Sequence, residues 1–220
     1  MFSGGKDSCY SVWLALHQAW DVERLVTVKP ESQDSWMFHY PNVEWTDLQA
    51  RSMGLPLTLV STDTDELAQL EETFRRLKVE NRLDGVVTGA VASEYQKTRF
   101  DQICDRVGLK SFSPLWHKKP ETIVDDLVAA GFRIVLAGVA ASGLDESWLG
   151  KELTPTAWKE LKRVSTQFGI HLAGEGGEYE TFVVDAPQFS SPISIVESEN
   201  VWDGQRGHLM IKRASLAKAP

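Results

Sequence analysis

The sequence predicts an α/β fold: a parallel β-sheet with helices on both faces, followed by a smaller α+β part. Three runs rich in Val and Leu, at residues 25–28, 57–60 and 85–88, are short and bounded by polar or turn residues, as strands buried in a parallel sheet are. The stretches between them repeat apolar side chains every three or four positions, and this alternation of strands and helices indicates βαβ units. The predicted helices of this half are residues 9–19, 43–53 and 65–82.

The second half of the chain predicts a different arrangement that ends in an antiparallel hairpin. Two strand-like runs close the sequence, and the Asp203-Gly204 pair between them is typical of a tight turn. The charge also changes, from −7 over residues 1–105 to −1 over residues 106–220. We expect these two ranges to be two domains. The predicted elements here are helices at residues 120–130 and 155–168 and strands at residues 132–139, 193–202 and 208–213.

Composition excludes several classes of protein. The chain has 220 residues, 42% of them hydrophobic, which is enough to bury a sizeable core. Its net charge of −8 argues against extensive nucleic-acid binding, which needs clustered Lys and Arg. No apolar run approaches the ~18 residues of a membrane span, no secretory signal is recognisable, and two cysteines cannot form a disulfide framework or a zinc site. This combination predicts a soluble, cytoplasmic protein that does not use a membrane.

A glycine-rich loop near the N-terminus predicts a phosphate-binding site. Its two glycines let backbone N–H groups approach a polyanion, and the helix that follows adds partial positive charge. Lys6 supplies a full charge, whereas Asp7 would repel phosphate unless it holds Mg²⁺ or caps the helix. A plain glycine-rich turn is the alternative interpretation. The loop consists of Ser3, Gly4, Gly5, Lys6, Asp7 and Ser8.

This hexapeptide resembles the pyrophosphate loop (PP-loop) of the ATP pyrophosphatase superfamily, whose members cleave ATP between the α and β phosphates. It is not a Walker loop, because the Gly-Lys-Ser/Thr ending is missing. Four further stretches resemble one branch of that superfamily, the diphthine–ammonia ligase family. They are residues 35–39, 88–93, 144–150 and 174–182.

The resemblance implies a fold, a reaction and partners. The fold would be a Rossmann-like, HUP-type nucleotide domain with a C-terminal domain over its cleft. The reaction would be ATP-dependent amidation of the diphthine carboxylate of elongation factor 2 through an acyl-adenylate, giving diphthamide, AMP and PPi. ATP and Mg²⁺ would be required. No room remains for a glutaminase domain, so we expect free ammonium, or a separate protein, to supply the nitrogen. A tRNA-modifying PP-loop ligase and a non-catalytic ATP-sensing module stay open as alternatives, as does assembly into a homo-oligomer.

The candidate site residues fall into two groups. We expect the phosphate loop, His39, Gly89 and Arg99 to bind the nucleotide, with Lys97 as an alternative cation, and Asp7 to bind the metal. Residues 174–181 form a predicted loop that contains three glycines and no basic residue. Its carboxylates, together with Lys6 and Asp7, are the expected catalytic groups. These three carboxylates belong to Glu175, Glu178 and Glu180.

Glutamates in that loop have three possible roles: holding Mg²⁺, deprotonating ammonium, or attracting the cationic head of diphthine. We expect Glu178 to act, because Gly177 and Tyr179 flank it and fix its carboxylate. An aromatic cage is a further possibility for the trimethylammonium group. Its candidates are Trp36, Phe38, Tyr40, Trp116 and Trp148.

One departure from the family concerns the first strand. Family members begin with a full hydrophobic strand before the loop, whereas here only Met1 and Phe2 precede Ser3. Losing a central strand would expose the edges of its neighbours. We expect either that the true start lies upstream or that the fold tolerates a two-residue stub.

Overall fold

A computed structural model describes residues 1–30, 42–62 and 65–217 of the chain. It confirms the α/β fold with parallel strands, helices and a C-terminal antiparallel part. The helices are α1 (Lys6–His17), α2 (Thr46–Met53), α3 (Glu66–Asn81), α4 (Glu94–Val107), α5 (Pro120–Ala129) and α6 (Pro155–Phe168). The strands are β1 (Leu25–Pro30), β2 (Leu57–Thr62), β3 (Gly85–Val87), β4 (Lys110–Phe112), β5 (Arg133–Val139), β6 (Tyr179–Asp185), β7 (Ile193–Trp202) and β8 (Gly207–Leu216).

The parallel strands form two pairs, β1 with β2 and β3 with β4, and the first two residues lie between the pairs. The Phe2 N–H donates to the Val26 carbonyl of β1 (2.8 Å), and the Met1 ammonium donates to the Val87 carbonyl of β3 (2.6 Å). Burial lowers the pKa of that ammonium to about 6. The stub therefore takes the central position of the sheet.

A cavity of about 750 Å³ lies beside the stub, between the facing edges of β1 and β3. Trp20 and Phe112 contact each other among its lining residues, with ring centroids 5.1 Å apart. Met1 and Phe2 thus make one backbone hydrogen bond each, to β3 and to β1 respectively. These two residues leave much of the facing edges of the two strands unpaired. Phe2 leads directly into Ser3, the first residue of the phosphate loop.

The C-terminal strands form one antiparallel sheet in the order β6-β5-β8-β7. The predicted hairpin is confirmed as β7 and β8, paired from Ile193 with Leu216 to Trp202 with Gly207. The sequence prediction missed β4 and wrongly assigned residues 179–181 to a loop, since they begin β6. An irregularity in the pairing of β5 lies opposite Glu180 and Thr181, the kind of distortion that re-aims side chains beside functional sites.

The hydrophobic core joins the two halves of the chain. Cys9, Tyr10 and Val12 of α1 pack in the same buried cluster as Leu136 of β5 and Leu161 of α6. A second cluster lies between the parallel strands and helices α3 and α4. The phosphate loop, which starts α1, is consequently held by both halves, and the domain boundary at residue 105 stays a prediction. None of the helices within the described ranges is long and apolar enough to cross a membrane.

Candidate active site

A pocket of about 420 Å³ lies where the phosphate loop faces the start of β6. It is large enough for a substantial part of a small-molecule ligand. Four charged side chains from the described part of the chain line it, three acidic and one basic. They are Lys6, Asp7, Glu175 and Glu180. A pocket with this excess of negative charge accepts a polyphosphate only together with cations.

The phosphate loop is shaped by its own hydroxyl groups. Gly5 caps α1, so the helix begins at Lys6, whose backbone N–H donates to the Thr181 hydroxyl of β6 (3.0 Å). The Ser3 and Ser8 hydroxyl oxygens lie 3.2 Å apart, and the Ser8 hydroxyl donates to the Gly5 carbonyl (3.0 Å). The loop therefore combines a helix N-terminus with two hydroxyl groups, an arrangement suited to phosphate.

Lys6 connects the two halves of the chain. Its side chain is buried, and Nζ donates to Asp7 Oδ2 (2.7 Å) and to the Ala173 carbonyl (2.6 Å) above the ring of Tyr179. Burial alone lowers the pKa of the Lys6 ammonium, but the charge and hydrogen bond of Asp7 outweigh it and raise the pKa above its ordinary value. Lys6 is thus a fixed positive charge at the pocket wall.

Asp7 has one oxygen in use and one free. Oδ2 pairs with Lys6, whereas Oδ1 is buried and has no hydrogen-bond partner among the described residues. A buried, unpaired carboxylate oxygen is costly unless a ligand satisfies it. Within the described ranges no group of three acidic, His or Cys side chains could hold a metal by itself. Mg²⁺ usually takes one or two carboxylates plus substrate phosphates, so Asp7 alone fits such an ion.

Glu175 and Glu180 face Lys6 and Asp7 across the pocket. The Glu175 Oε2 accepts from the Ala92 N–H (2.9 Å), which joins the loop before β6 to the loop after β3. Burial and the charge of Asp7 raise the pKa of Glu175. Burial raises the pKa of Glu180 to about 7, and this side chain makes no hydrogen bond within the described part of the chain. Glu180 is accordingly free to exchange a proton near neutral pH.

Glu178 differs from the other two glutamates. Its Oε1 accepts from the His171 N–H and its Oε2 from the Gly176 N–H, both at 2.8 Å. Glu178 does not line the pocket. Its two hydrogen bonds instead stabilise the turn that precedes β6. The catalytic role expected of Glu178 stays a prediction, and this geometry favours Glu180 for that role.

Replacing Glu178 by Ala should destabilise the protein without removing nucleotide binding. Two backbone N–H groups lose their acceptor, which costs about 1–3 kcal/mol in the free energy of unfolding. Urea unfolding and calorimetric ATP titration of the same protein measure both quantities. Glu80→Ala, at an exposed position of α3, is the matched control and should change neither. Normal stability with lost ATP binding would contradict this assignment.

Comparison with known proteins places this geometry in a family. The model of the diphthamide synthase N-terminal domain matches residues 1–111, and that of the C-terminal domain matches residues 119–217. The chain belongs to the diphthamide synthase family. Both domain models meet at the pocket, because the phosphate loop lies in the first and the three glutamates lie in the second. This result favours the ligase branch over the alternative tRNA-modifying enzyme and ATP-sensing module.

Related proteins of this family cover most of the chain. A diphthine–ammonia ligase of Danio rerio is 32% identical over 91% of this chain and 87% of its own length, and one of Mus musculus is 31% identical over 91% and 83%. One of Schizosaccharomyces pombe is 35% identical over 91% of this chain but only 36% of its own length. A solved structure described as a predicted subunit of a tRNA methyltransferase from Methanocaldococcus jannaschii matches 85% of this chain and 95% of its own, at 15% identity and a TM-score of 0.43.

The remaining predicted nucleotide-binding residues have different positions. Gly89 lines the pocket, and a Cβ there would lie 2.8 Å from the Ser8 nitrogen, so its small size permits close packing on the phosphate loop. Arg99 does not line the pocket, since its guanidinium stacks on the Tyr95 ring, 3.3 Å from the centroid. Lys97 pairs with Asp101 (2.5 Å) outside the pocket. His39 lies outside the described residues.

The aromatic residues that line the pocket differ from those predicted for an aromatic cage. Trp148 is buried in the core, and neither Trp148 nor Trp116 lines the pocket, while Trp36, Phe38 and Tyr40 lie outside the described ranges. The pocket instead receives aromatic rings from α4, the stub and β6, a grouping that only the folded chain creates. These rings belong to Phe2, Tyr95, Phe100 and Tyr179.

Proposed function

We propose that this chain is an ATP-dependent ligase that converts the diphthine side chain of elongation factor 2 to diphthamide, with ammonia as nitrogen source and AMP and PPi as products. One observation carries the proposal: the phosphate loop and the glutamate segment line one pocket, and Lys6 of the loop donates to Thr181 of the segment, in a chain related along its length to diphthine–ammonia ligases. The site thus combines nucleotide chemistry with proton transfer.

The first half-reaction needs charge stabilisation at the phosphate loop. A carboxylate oxygen of diphthine attacks the α-phosphorus of ATP, the bond to the bridging oxygen breaks, and PPi leaves with its negative charge. The N-terminus of α1 and the fixed Lys6 ammonium face the pocket where this charge develops. Preorganised positive charge of this kind stabilises a transition state without reorganisation during the reaction.

Asp7 is our candidate for holding Mg²⁺ against the phosphates. Its Oδ1 is buried without a partner in the described structure, and it lies beside the loop that would receive them. The ion would neutralise phosphate charge in a pocket whose own side chains are mainly acidic. Asp7 itself keeps Lys6 in place through Oδ2 (2.7 Å).

The second half-reaction needs a group that takes a proton. Ammonia attacks the acyl carbon, AMP leaves, and a proton is released from the nitrogen as the amide forms. Glu180 is our candidate acceptor, because it lines the pocket, makes no hydrogen bond in the described structure and has a pKa of about 7. A base is most effective when its pKa lies near the working pH. Glu175, docked on Ala92, positions the same segment.

We assign the acceptor to elongation factor 2 and the place of action to the cytoplasm. The relatives, which are named diphthine–ammonia ligases, support a diphthine substrate. We propose free ammonium as the nitrogen source, which the name of the diphthine–ammonia ligase relatives supports. Both cysteines are buried, and burial raises the pKa of the Cys9 and Cys104 thiols, so neither is an activated nucleophile.

The nitrogen source and the nucleotide products provide the biochemical test. Purified protein with MgATP, ammonium chloride and a diphthine-bearing substrate should release AMP and PPi in step with amide. Purified glutamine in place of ammonium should give no amide, since that reaction requires a separate glutaminase. Chromatography of the nucleotides and an enzymatic PPi assay measure the products. Formation of ADP and phosphate, or equal rates with glutamine, would contradict the proposal.

A further inference from the structure

The orientation of the peptide group between Gly4 and Gly5 depends on contacts with the rest of the protein. Glycine on both sides leaves this peptide free to rotate, and Gly4 has a φ of +81°. Gly5 lines the pocket, whereas Gly4 does not. The Gly4 carbonyl is directed the other way, where it accepts from the Val183 N–H of β6 (3.1 Å) and from Gln49 Nε2 (2.9 Å).

The Gln49 side chain links the phosphate loop to β6 by hydrogen bonds. It is fully buried on α2, and its amide nitrogen donates both to Gly4 and to the Val183 carbonyl (2.8 Å). A Cβ on Gly4 would lie 2.5 Å from Gln49 Oε1 and 3.2 Å from Thr46 Cγ2. Gln49 therefore joins the phosphate loop to β6 and packs directly against Gly4.

The orientation of this peptide decides how the loop meets an anion. Backbone N–H groups attract phosphate, whereas a carbonyl oxygen carries partial negative charge and repels it. Rotation of the Gly4–Gly5 peptide would turn the Gly4 carbonyl towards the pocket and the Gly5 N–H away from it. Three donors contact the Gly4 carbonyl and oppose that rotation: the Gln49 amide, the Val183 N–H and, more weakly, the Cys9 thiol (3.8 Å).

We propose that Gln49 is a positioning residue for nucleotide binding, which keeps the Gly4 carbonyl turned away from the phosphates. Gln49 does not line the pocket, so it acts through the loop. When its donors are lost, a smaller fraction of molecules has the binding conformation, and the apparent dissociation constant rises in inverse proportion to that fraction. Steps that follow binding are unaffected. The inference rests on the proposed function only in taking ATP as the ligand.

The test compares Gln49→Met with wild type. Methionine has a similar length and no N–H donor. We expect MgATP to bind roughly 3- to 30-fold more weakly by calorimetry, the fold-change typical of one or two lost hydrogen bonds. KM for ATP should rise equally, and kcat for ammonium-dependent AMP formation should stay within about twofold. The matched control is Gln188→Met, which loses a bond from Nε2 to the Cys9 carbonyl (3.0 Å) and should bind ATP normally.

A second variant tests the hydrogen bond itself, because its ATP affinity should depend on pH, which a purely structural role of Gln49 does not predict. Gln49→Glu keeps length and polarity but offers a donor only when protonated. Its ATP affinity relative to wild type at the same pH should recover as pH falls, and it replaces Gln49→Met if that variant does not fold. Unchanged ATP affinity in Gln49→Met, or a lower kcat with unchanged KM, would overturn the inference. Absence of amidation by wild type would refute the proposed function and leave the ATP-binding comparison intact.

Discussion

Glu180→Gln should slow amide formation by roughly 10²- to 10⁴-fold, the range typical of a lost acid–base group, while ATP binding stays close to wild type. The substitution keeps the shape of the side chain and removes its ability to take a proton. Glu180 lines the pocket without a hydrogen-bond partner in the described structure, so few contacts are lost. Single-turnover amidation and calorimetric ATP titration on the same preparation measure the two effects.

Glu178→Gln is the matched control for this prediction. Glu178 lies two residues away and outside the pocket, and its carboxylate accepts from the His171 and Gly176 amides. Gln keeps only one of these two acceptors, so the variant should lose some stability, while the amidation rate of the folded protein should change little. The reverse result, a slow Glu178→Gln and a normal Glu180→Gln, would establish Glu178 as the base and contradict the present assignment.

The pH dependence of Glu180 gives a second signature of the same group. Its carboxyl has a pKa of about 7 in the folded protein, above the ordinary value of 4.5. The amidation rate should therefore rise with pH through about 7, and Glu180→Gln should lack that step. For stability the folded state binds the extra proton between pH 4.5 and 7, so this contribution is present at low pH and lost as pH rises through 7. Glu180→Gln should consequently melt higher than wild type at pH 8, and the difference should shrink towards pH 5.

Lys6→Met should abolish most PPi release, by roughly 10²- to 10³-fold, as loss of a preorganised transition-state contact does. Its ammonium is the one side-chain cation that lines the pocket within the described residues. The variant also leaves the Asp7 carboxylate unpaired, and breaking a buried pair costs about 3–5 kcal/mol of stability. Thermal unfolding must therefore accompany the PPi assay.

A double variant measures how much of the stability loss comes from the unpaired charge. Lys6→Met with Asp7→Asn removes the uncompensated carboxylate, so it should regain stability. It also removes the proposed Mg²⁺ ligand, so the role of Lys6 is tested by PPi release from the folded single variant. Lys97→Met is the control, because Lys97 also pairs with a carboxylate, Asp101 (2.5 Å), but lies outside the pocket. PPi release at the wild-type rate from a folded Lys6→Met protein would exclude the role given to Lys6.

Elements with strong local patterns were predictable from the sequence. The repeat of α3 and the Asp203-Gly204 turn before β8 carry their own signals, and both were confirmed. Strand β6 was missed because the glycines and glutamates before it are typical of a loop. The β-branched and aromatic residues at 181–184 were the signal that could have revealed it. Strand β4 has three residues, which is too short for a pattern.

The site was predictable by residue type but not by role. Three glutamates occur within six residues, and only the fold shows that one binds Ala92, one holds two amides and one is unpaired in the described structure. Gln49 carries no signal at all, because a glutamine within a helix is ordinary until Gly4 and Val183 are brought to it. Contacts between residues distant in sequence decide each of these roles.

Mass spectrometry of the substrate protein tests the central claim most directly. Diphthine-bearing elongation factor 2 is incubated with the purified chain, MgATP and ¹⁵N-labelled ammonium, and the peptide that carries the modification is analysed before and after. The proposed function predicts that the carboxyl hydroxyl is replaced by a labelled amino group, that AMP forms in equal amount, and that Glu180→Gln leaves the peptide unchanged over the same time. An unlabelled, unmodified peptide after complete conversion of ATP to AMP by the wild-type chain would contradict it.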